Sequence, residues 1–183
     1  SSIPAPILGD LIWDNDLSDL LKLIKYNPID VFHFGVYKKN IQSNIKGFGV
    51  LTKPSDRKSF LGILFNSQIF QHVSPQDKEL YTVLVGGERQ KELCSLRKEE
   101  LKSIVLNEFK NLLKYKGDVP FTNHYKWNNG IPQYHMIQNK LVNAIEIFEK
   151  NNKTFHIIGN YFNGISVSDC VKKAKNKVES LNI

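Results

Sequence analysis

The sequence is poor in cysteine and methionine and contains neither a repeat nor a long apolar run. Cys94 and Cys170 are its two thiols. They stand far apart and outside any CxxC or Cys/His spacing, which argues against a disulfide framework or a zinc site and for reduced thiols in a cytosolic setting. The five histidines, at 33, 72, 124, 135 and 156, form no HxxxH or HExxH pattern, so each reads as an ordinary surface or strand residue and no metal is expected. The stretch from Thr154 to Ser168, free of Lys, Arg, Asp and Glu, is broken by Gly159, Asn160, Asn163 and Gly164. That falls short of the roughly 20 apolar residues of a membrane-spanning helix. Ser1-Ser2-Ile3-Pro4-Ala5-Pro6 has no initiator Met and no basic region leading into an apolar one. It is not a secretory signal, and the chain is expected to begin inside something larger.

What is present is enough for a real core. Hydrophobic residues make up 41% and aromatics 11% of 183 positions, which excludes disorder, collagen and a coiled coil and allows one domain or two unequal pieces. The net charge of +7 would suit any anionic partner. Its densest run, however, Lys172, Lys173, Lys175 and Lys177, shares a segment with Val167, Cys170, Val171, Ala174, Val178 and Leu181 at helical spacing. Those lysines read as the solvated face of an amphipathic helix. Aromatic residues are not interleaved with them as single-strand binders require, so nucleic acid is not an expected partner.

Along the chain, Asp16 or Ser18 is read as the cap of a short helix to about Tyr26, ended by Pro28. Strands are expected at 29–37, 48–52, 60–66 and 80–85, the last closed by Gly86-Gly87. Ser95 is read as the cap of a helix to about Tyr115, stopped by Gly117-Asp118-Val119-Pro120, its stripe being Leu101, Ile104, Val105, Phe109, Leu112 and Leu113. A strand at 121–127, a helix at 140–150, a strand at 154–158 and a helix at 167–181 complete the reading. The fold class is α+β: a mixed β-sheet portion followed by a strand-turn-helix unit of a nucleotide-binding layer.

That last unit carries the most chemistry. Strand 154–158 is expected to run through Gly159-Asn160-Tyr161-Phe162-Asn163-Gly164 into a helix capped by Ser166 or Ser168. A helix start presents unpaired N–H groups and the positive end of the peptide dipoles, which suits an electron-rich ligand, and Gly159 and Gly164 would let backbone approach it. The same residues also describe an ordinary tight connection with glycines at special backbone angles.

Six blocks, in order, resemble one family. They are Ser1-Ser2-Ile3-Pro4; Gly47-Phe48-Gly49-Val50-Leu51; Leu61-Gly62-Ile63-Leu64-Phe65-Asn66-Ser67 with Phe70; Thr82-Val83-Leu84-Val85-Gly86-Gly87; Trp127-Asn128-Asn129-Gly130-Ile131-Pro132-Gln133-Tyr134; and Gly159-Asn160-Tyr161 with Asn163-Gly164-Ile165-Ser166-Val167-Ser168-Asp169-Cys170. Together they resemble the oxygen-dependent protoporphyrinogen oxidases and their coproporphyrinogen-oxidising relatives, in the FAD-dependent, amine-oxidase-like superfamily, and match its C-terminal portion.

The resemblance implies a flavoenzyme of heme biosynthesis that removes six electrons from a porphyrinogen and passes them to oxygen. It implies residues 1–126 as a partial substrate-binding domain, with the first few residues in the FAD domain, and 127–183 as the end of the FAD domain. Trp127, Gly164, Ile165, Ser166 and Val167 match positions against the FAD, and Phe48, Gly49, Leu51 and Leu84 match the porphyrinogen pocket; Leu51, Leu84 and Trp127 read equally well as packing. No catalytic base is identified. The GxGxxG loop and its βαβ Rossmann unit are absent from the sequence. The implied partners are therefore the porphyrinogen and a missing N-terminal half, through which the enzyme would touch a membrane surface from the cytoplasm. Alternatives are another FAD-dependent amine-oxidase-like oxidoreductase and a non-catalytic basic binding fragment.

Overall fold

Period-two and period-3.6 patterns sort the chain into two compact units, described by the computed structural model over residues 2–181. One takes the chain up to Tyr26 and again from Pro132 onward; the other is Asn27–Ile131. Residues 2–26 thus go with the C-terminal segment. Ser1, the head of the first family-like block, lies outside the described residues.

The second unit is built on a five-stranded sheet in the order β2-β3-β4-β1-β5, where β1 is Tyr26–Tyr37, β2 Gly49–Leu51, β3 Gly62–Leu64, β4 Lys78–Gly86 and β5 Phe121–Pro132. β1 with β4, β4 with β3 and β3 with β2 are all antiparallel. The sheet is therefore not the mixed one expected: the chain reverses direction through residues 52–61 between β2 and β3 and through residues 65–77 between β3 and β4, so these neighbours pair antiparallel. Alternation puts Phe32, Phe34, Val36, Ile63, Tyr81, Val83 and Val85 on one face. They are buried against Leu101, Val105, Phe109 and Leu113 of α4, Lys98–Leu113, a 16-residue helix with one apolar stripe. The cap position of α4 is Arg97 without a side-chain bond, and Ser95 lies in the preceding 3-10 turn. α3 is a single turn, Asn66–Ile69. The other face of the sheet is met by the single turn α3, through Asn66 and Thr82, and leaves Leu51 exposed.

The first unit is helical: α1 Ala5–Leu11, α2 Asn15–Lys22, α5 Gln138–Asn151 and α6 Val167–Ser180. α1 was not among the helices expected; Pro4 and Pro6 sit where proline is tolerated, at the cap and in the first turn. α2 is capped by Asp14, whose side chain accepts from the Leu17 N–H at 2.9 Å, and not by Asp16 or Ser18. It ends at Lys22, before Pro28, which lies inside β1. Leu8, Leu17, Leu21, Leu141, Ile145, Phe148, Ile157 and Tyr161 form the core.

Two expectations for this unit fail. Residues 154–158 form no strand. A strand needs a ladder partner, and among the described residues this unit offers no sheet; the Ile157 N–H instead donates to the Glu149 carboxylate at 2.7 Å. The lysines of α6 are not simply its solvated face. Lys173 donates to the carbonyls of Gly159, Phe162 (2.6 Å) and Gly164 (3.1 Å), and Lys177 pairs with Glu149 at 2.5 Å. Of the expected apolar stripe, Val167, Val171 and Val178 face outward at 82%, 64% and 62% exposure, while Cys170, Ala174 and Leu181 are half-buried. Helical spacing tells which residues share a face and not which face the fold covers.

Candidate functional site

The open face of the sheet collects Gly49, Leu51, Leu84 and Trp127 of the residues that the sequence nominated. Register places Leu51, Gly62, Leu84 and Val31 in one row across β2, β3, β4 and β1, and Gly49, Leu64, Thr82 and His33 in the next. Gly35 and Leu80 follow in the row after. Leu51 is 85% exposed and Leu84 half-buried. Phe48, just before β2, is also exposed. Trp127 lies on β5, its ring centroid 4.5 Å from that of Tyr125 and half exposed. Strand alternation carries Phe121, Tyr125 and Trp127 to the same open face. Gly35, Leu80, Phe121, Val73 and Pro75 line a cavity of about 320 Å³ at one end of it. Gly49 has a backbone reason of its own: a Cβ there would lie 2.3 Å from the Ile63 carbonyl oxygen.

A chain of polar side chains crosses this apolar face, and the sequence reading missed it. Thr82 Oγ1 donates to Asn66 Oδ1 at 2.8 Å and lies 3.0 Å from His33 Nδ1. Burial lowers the pKa of His33. The signal was faint: His33 alternates with Phe32 and Phe34, and Thr82 with Tyr81 and Val83, but only the register joins them.

In the helical unit, Gly164, Ile165, Ser166 and Val167 lead into α6. Ser166 is the cap: its Oγ accepts from the Asp169 N–H at 3.1 Å, while the Asp169 carboxylate accepts from the Ser166 N–H at 3.2 Å and from its hydroxyl at 2.6 Å. This reciprocal pair is a capping box. The bonds to Ser166, with help from Lys173 and Lys172, lower the pKa of Asp169. Among the described residues no side chain accepts from the N–H groups of Val167 and Ser168. Gly164 has φ +122°, and a Cβ on it would meet Asp169 at 2.6 Å. Tyr134 bridges the approach, its hydroxyl accepting from the Gly164 N–H and donating to the Asn160 carbonyl, both at 3.0 Å. Gly159 faces the Tyr161 ring, which a Cβ would meet at 2.3 Å, so its role is packing.

Of the remaining ionisable groups, His124 and Asp30 are paired on the core face, beside the buried Cys94. Burial, with the Asp30 carboxylate adding to it, pushes the Cys94 thiol up to about 12, so it is no nucleophile. No cluster of three or more His, Cys, Asp or Glu suited to a metal occurs among the described residues, nor any helix long and apolar enough to cross a membrane.

Comparison with known proteins bears on this geometry. The family model for flavin containing amine oxidoreductase matches residues 2–182. Protoporphyrinogen oxidase 2 of Arabidopsis thaliana is 33% identical over 156 residues, covering 84% of this chain and 31% of that protein. The mitochondrial protoporphyrinogen oxidase of Nicotiana tabacum is 31% identical over 89% of this chain and 33% of its own length. The coproporphyrinogen III oxidase of Bacillus subtilis is 21% identical over 77% of this chain and 30% of its own. The chain thus spans about a third of the length of the curated relatives it matches. Among solved structures, a protein of Exiguobacterium sp. 255-15 provisionally named a protoporphyrinogen oxidase superposes with a TM-score of 0.79 at 20% identity, covering 98% of this chain and 40% of that one. A UDP-galactopyranose mutase gives 0.66 at 13% identity. These two likenesses concern the fold.

Proposed function

The chain belongs to the flavin-containing amine oxidoreductase family, and from that premise we propose that it is the C-terminal portion of an FAD-dependent porphyrinogen oxidase of heme biosynthesis. The observation that carries the reading is the convergence of Gly49, Leu51, Leu84 and Trp127 on one open, largely apolar sheet face. Such a face suits a large, flat macrocycle of protoporphyrinogen or coproporphyrinogen type. The sheet unit is the substrate-binding part and the helical unit the end of the FAD-binding part.

The residues at the start of α6 fit a flavin ring edge. The free N–H groups of Val167 and Ser168, at the positive end of a 14-residue helix, suit an electron-rich carbonyl. Gly164, Ile165, Ser166 and Val167 would hold that edge; Trp127 is assigned to the flavin by the family motif alone. FAD, when bound, would take the six electrons of the porphyrinogen two at a time, in three rounds, each ending with their transfer to oxygen. Phe48, Leu51 and Leu84 exclude water from the macrocycle; Tyr134 and Lys173 fix the turn before the helix. The sequence holds no GxGxxG loop for the diphosphate, so an N-terminal part must supply it and any membrane contact, in a cytoplasmic enzyme.

The test is co-production of this chain with an N-terminal half bearing such a loop. The expected result is a yellow protein that turns protoporphyrinogen into a fluorescent porphyrin under air, while the chain alone binds no flavin. Flavin on the chain alone misplaces the cofactor site; a yellow complex that oxidises amines and no porphyrinogen sinks the substrate assignment.

A further inference from the structure

Thr82 has one hydroxyl proton and two neighbours that compete for it. Asn66 Oδ1, at 2.8 Å, can only accept, so the proton points there. His33 Nδ1, at 3.0 Å from the same oxygen, must therefore be the donor. The imidazole is fixed in its Nδ1–H tautomer, and Nε2 carries a lone pair. Among the described residues nothing donates to Nε2. Burial disfavours the protonated ring, so near neutral pH this side chain offers an acceptor and no charge.

Its surroundings say what would use an acceptor there. His33 shares its row with Gly49 and Leu64; Leu84, Gly62 and Leu51 form the row on one side, and Gly35 and Leu80, at the mouth of the 320 Å³ cavity, the row on the other. Adjacent strands are about 4.8 Å apart, so these rows span the breadth of a tetrapyrrole. A carboxylate gains nothing from a lone pair. An N–H group on an otherwise apolar ring does.

We propose that His33 is a specificity-determining residue of the porphyrinogen site, accepting through Nε2 a hydrogen bond from a pyrrole N–H of the macrocycle. The inference rests on the porphyrinogen reading above and adds the substrate group that this side chain recognises. Thr82 and Asn66 are positioning residues, which act through the tautomer. No proton is transferred.

The experiment uses the complete flavoenzyme. His33→Leu should raise KM for protoporphyrinogen about tenfold, the size of one lost hydrogen bond in a dry site, with kcat, flavin content and unfolding midpoint unchanged. His33→Gln, whose amide oxygen accepts, should keep KM within about threefold. Long-range nitrogen–proton correlation spectra of the wild type should show His33 as Nδ1–H, and Thr82→Val should abolish that preference and raise KM. An Nε2–H tautomer in the wild type, an unchanged KM in His33→Leu, or a KM raised as much by Gln as by Leu would overturn the inference. If wild type oxidises porphyrinogen and His33→Leu does so equally well, only the role of His33 falls. If wild type oxidises no porphyrinogen, the functional reading falls first.

Discussion

His124 Nε2 lies 2.5 Å from Asp30 Oδ1, with the two side chains 10% and 2% exposed, and the His124 ring stacks on Phe32 at 4.4 Å. The pair lies on the core face, and the Asp30 Oδ2 atom has no hydrogen bond. Removing one partner strands the other in a dry site. His124→Leu should therefore cost about 3 kcal/mol of unfolding free energy. The double variant Asp30→Val/His124→Leu, which leaves no polar group behind, should recover most of that loss. Urea unfolding of the three proteins decides it: additive losses would mean that the pair is not coupled.

Lys173 and the turn before α6 make a second such relationship. Its ammonium donates to three carbonyls and lies 4.8 Å from the Phe162 ring centre. Lys173→Met keeps the length and removes the donors, and is expected to lower stability by about 2 kcal/mol. The outward-facing Lys175→Met should change it by less than about 0.5 kcal/mol. Equal effects would return both lysines to a solvated face.

The contrast between those two lysines marks how far the sequence could be read. Strands at 29–37 and 80–85, helix 98–113 and the capped start at Ser166 carry their signal locally, in alternation, in an apolar stripe or in a Ser-x-x-Asp spacing, and the structure places them within a few residues of expectation. The failures are non-local. Residues 154–158 have strand composition but no neighbour to pair with. Which side of α6 turns inward depends on the carbonyls of Gly159, Phe162 and Gly164, which no helical periodicity encodes. The row Gly49–Leu64–Thr82–His33 exists only through strand register. The family motifs nominate Leu51 and Leu84 for one ligand and Trp127 for another; that strand alternation brings all three to one face, beside a polar chain, was not legible.

A pH effect follows from His33. Burial lowers its pKa below the ordinary value of about 6.5, so the unfolded chain binds a proton more readily than the folded one. Between the lowered and the ordinary value the unfolded state carries more protons, and stability must rise with pH there and fall as acid is added. The urea midpoint of wild type should drop more between about pH 7 and pH 5 than that of His33→Leu. A steeper fall in the variant would contradict this sign.

Gly164 joins the cap to the turn. Its φ of +122° disfavours any side chain, and the 2.6 Å approach to Asp169 means that a new Cβ pushes on the residue that closes the capping box. Gly164→Val should therefore weaken α6 and, in the complete enzyme, lower flavin content and thermal midpoint together. Ser166→Ala, which loses the cap and adds no clash, should cost about 1 kcal/mol. A Gly164→Val enzyme of normal midpoint that lacks flavin would show that the position serves the ligand and not the helix.

Leu84 tests whether the open face is a binding face at all. It stands between Gly62 and Val31 in the row that ends at Leu51, half-buried and on the side of the sheet away from α4. Glutamate there keeps access to water in the free enzyme, so folding should survive with a loss under about 1 kcal/mol. Once a macrocycle covers the row, that carboxylate loses its water and faces a substrate that carries carboxylates itself, and both the desolvation and the like charge oppose binding. Porphyrinogen oxidation, followed by product fluorescence, should fall at least about a hundredfold at low substrate, a loss of about 2.7 kcal/mol in kcat/KM, while flavin stays bound. Val105→Glu, on the fully buried stripe of α4, is the control and should lose fold and flavin together. If Leu84→Glu collapses in the same way, Leu84 belongs to the core; if turnover is untouched, the substrate sits elsewhere and the apolar row of this face serves some other contact.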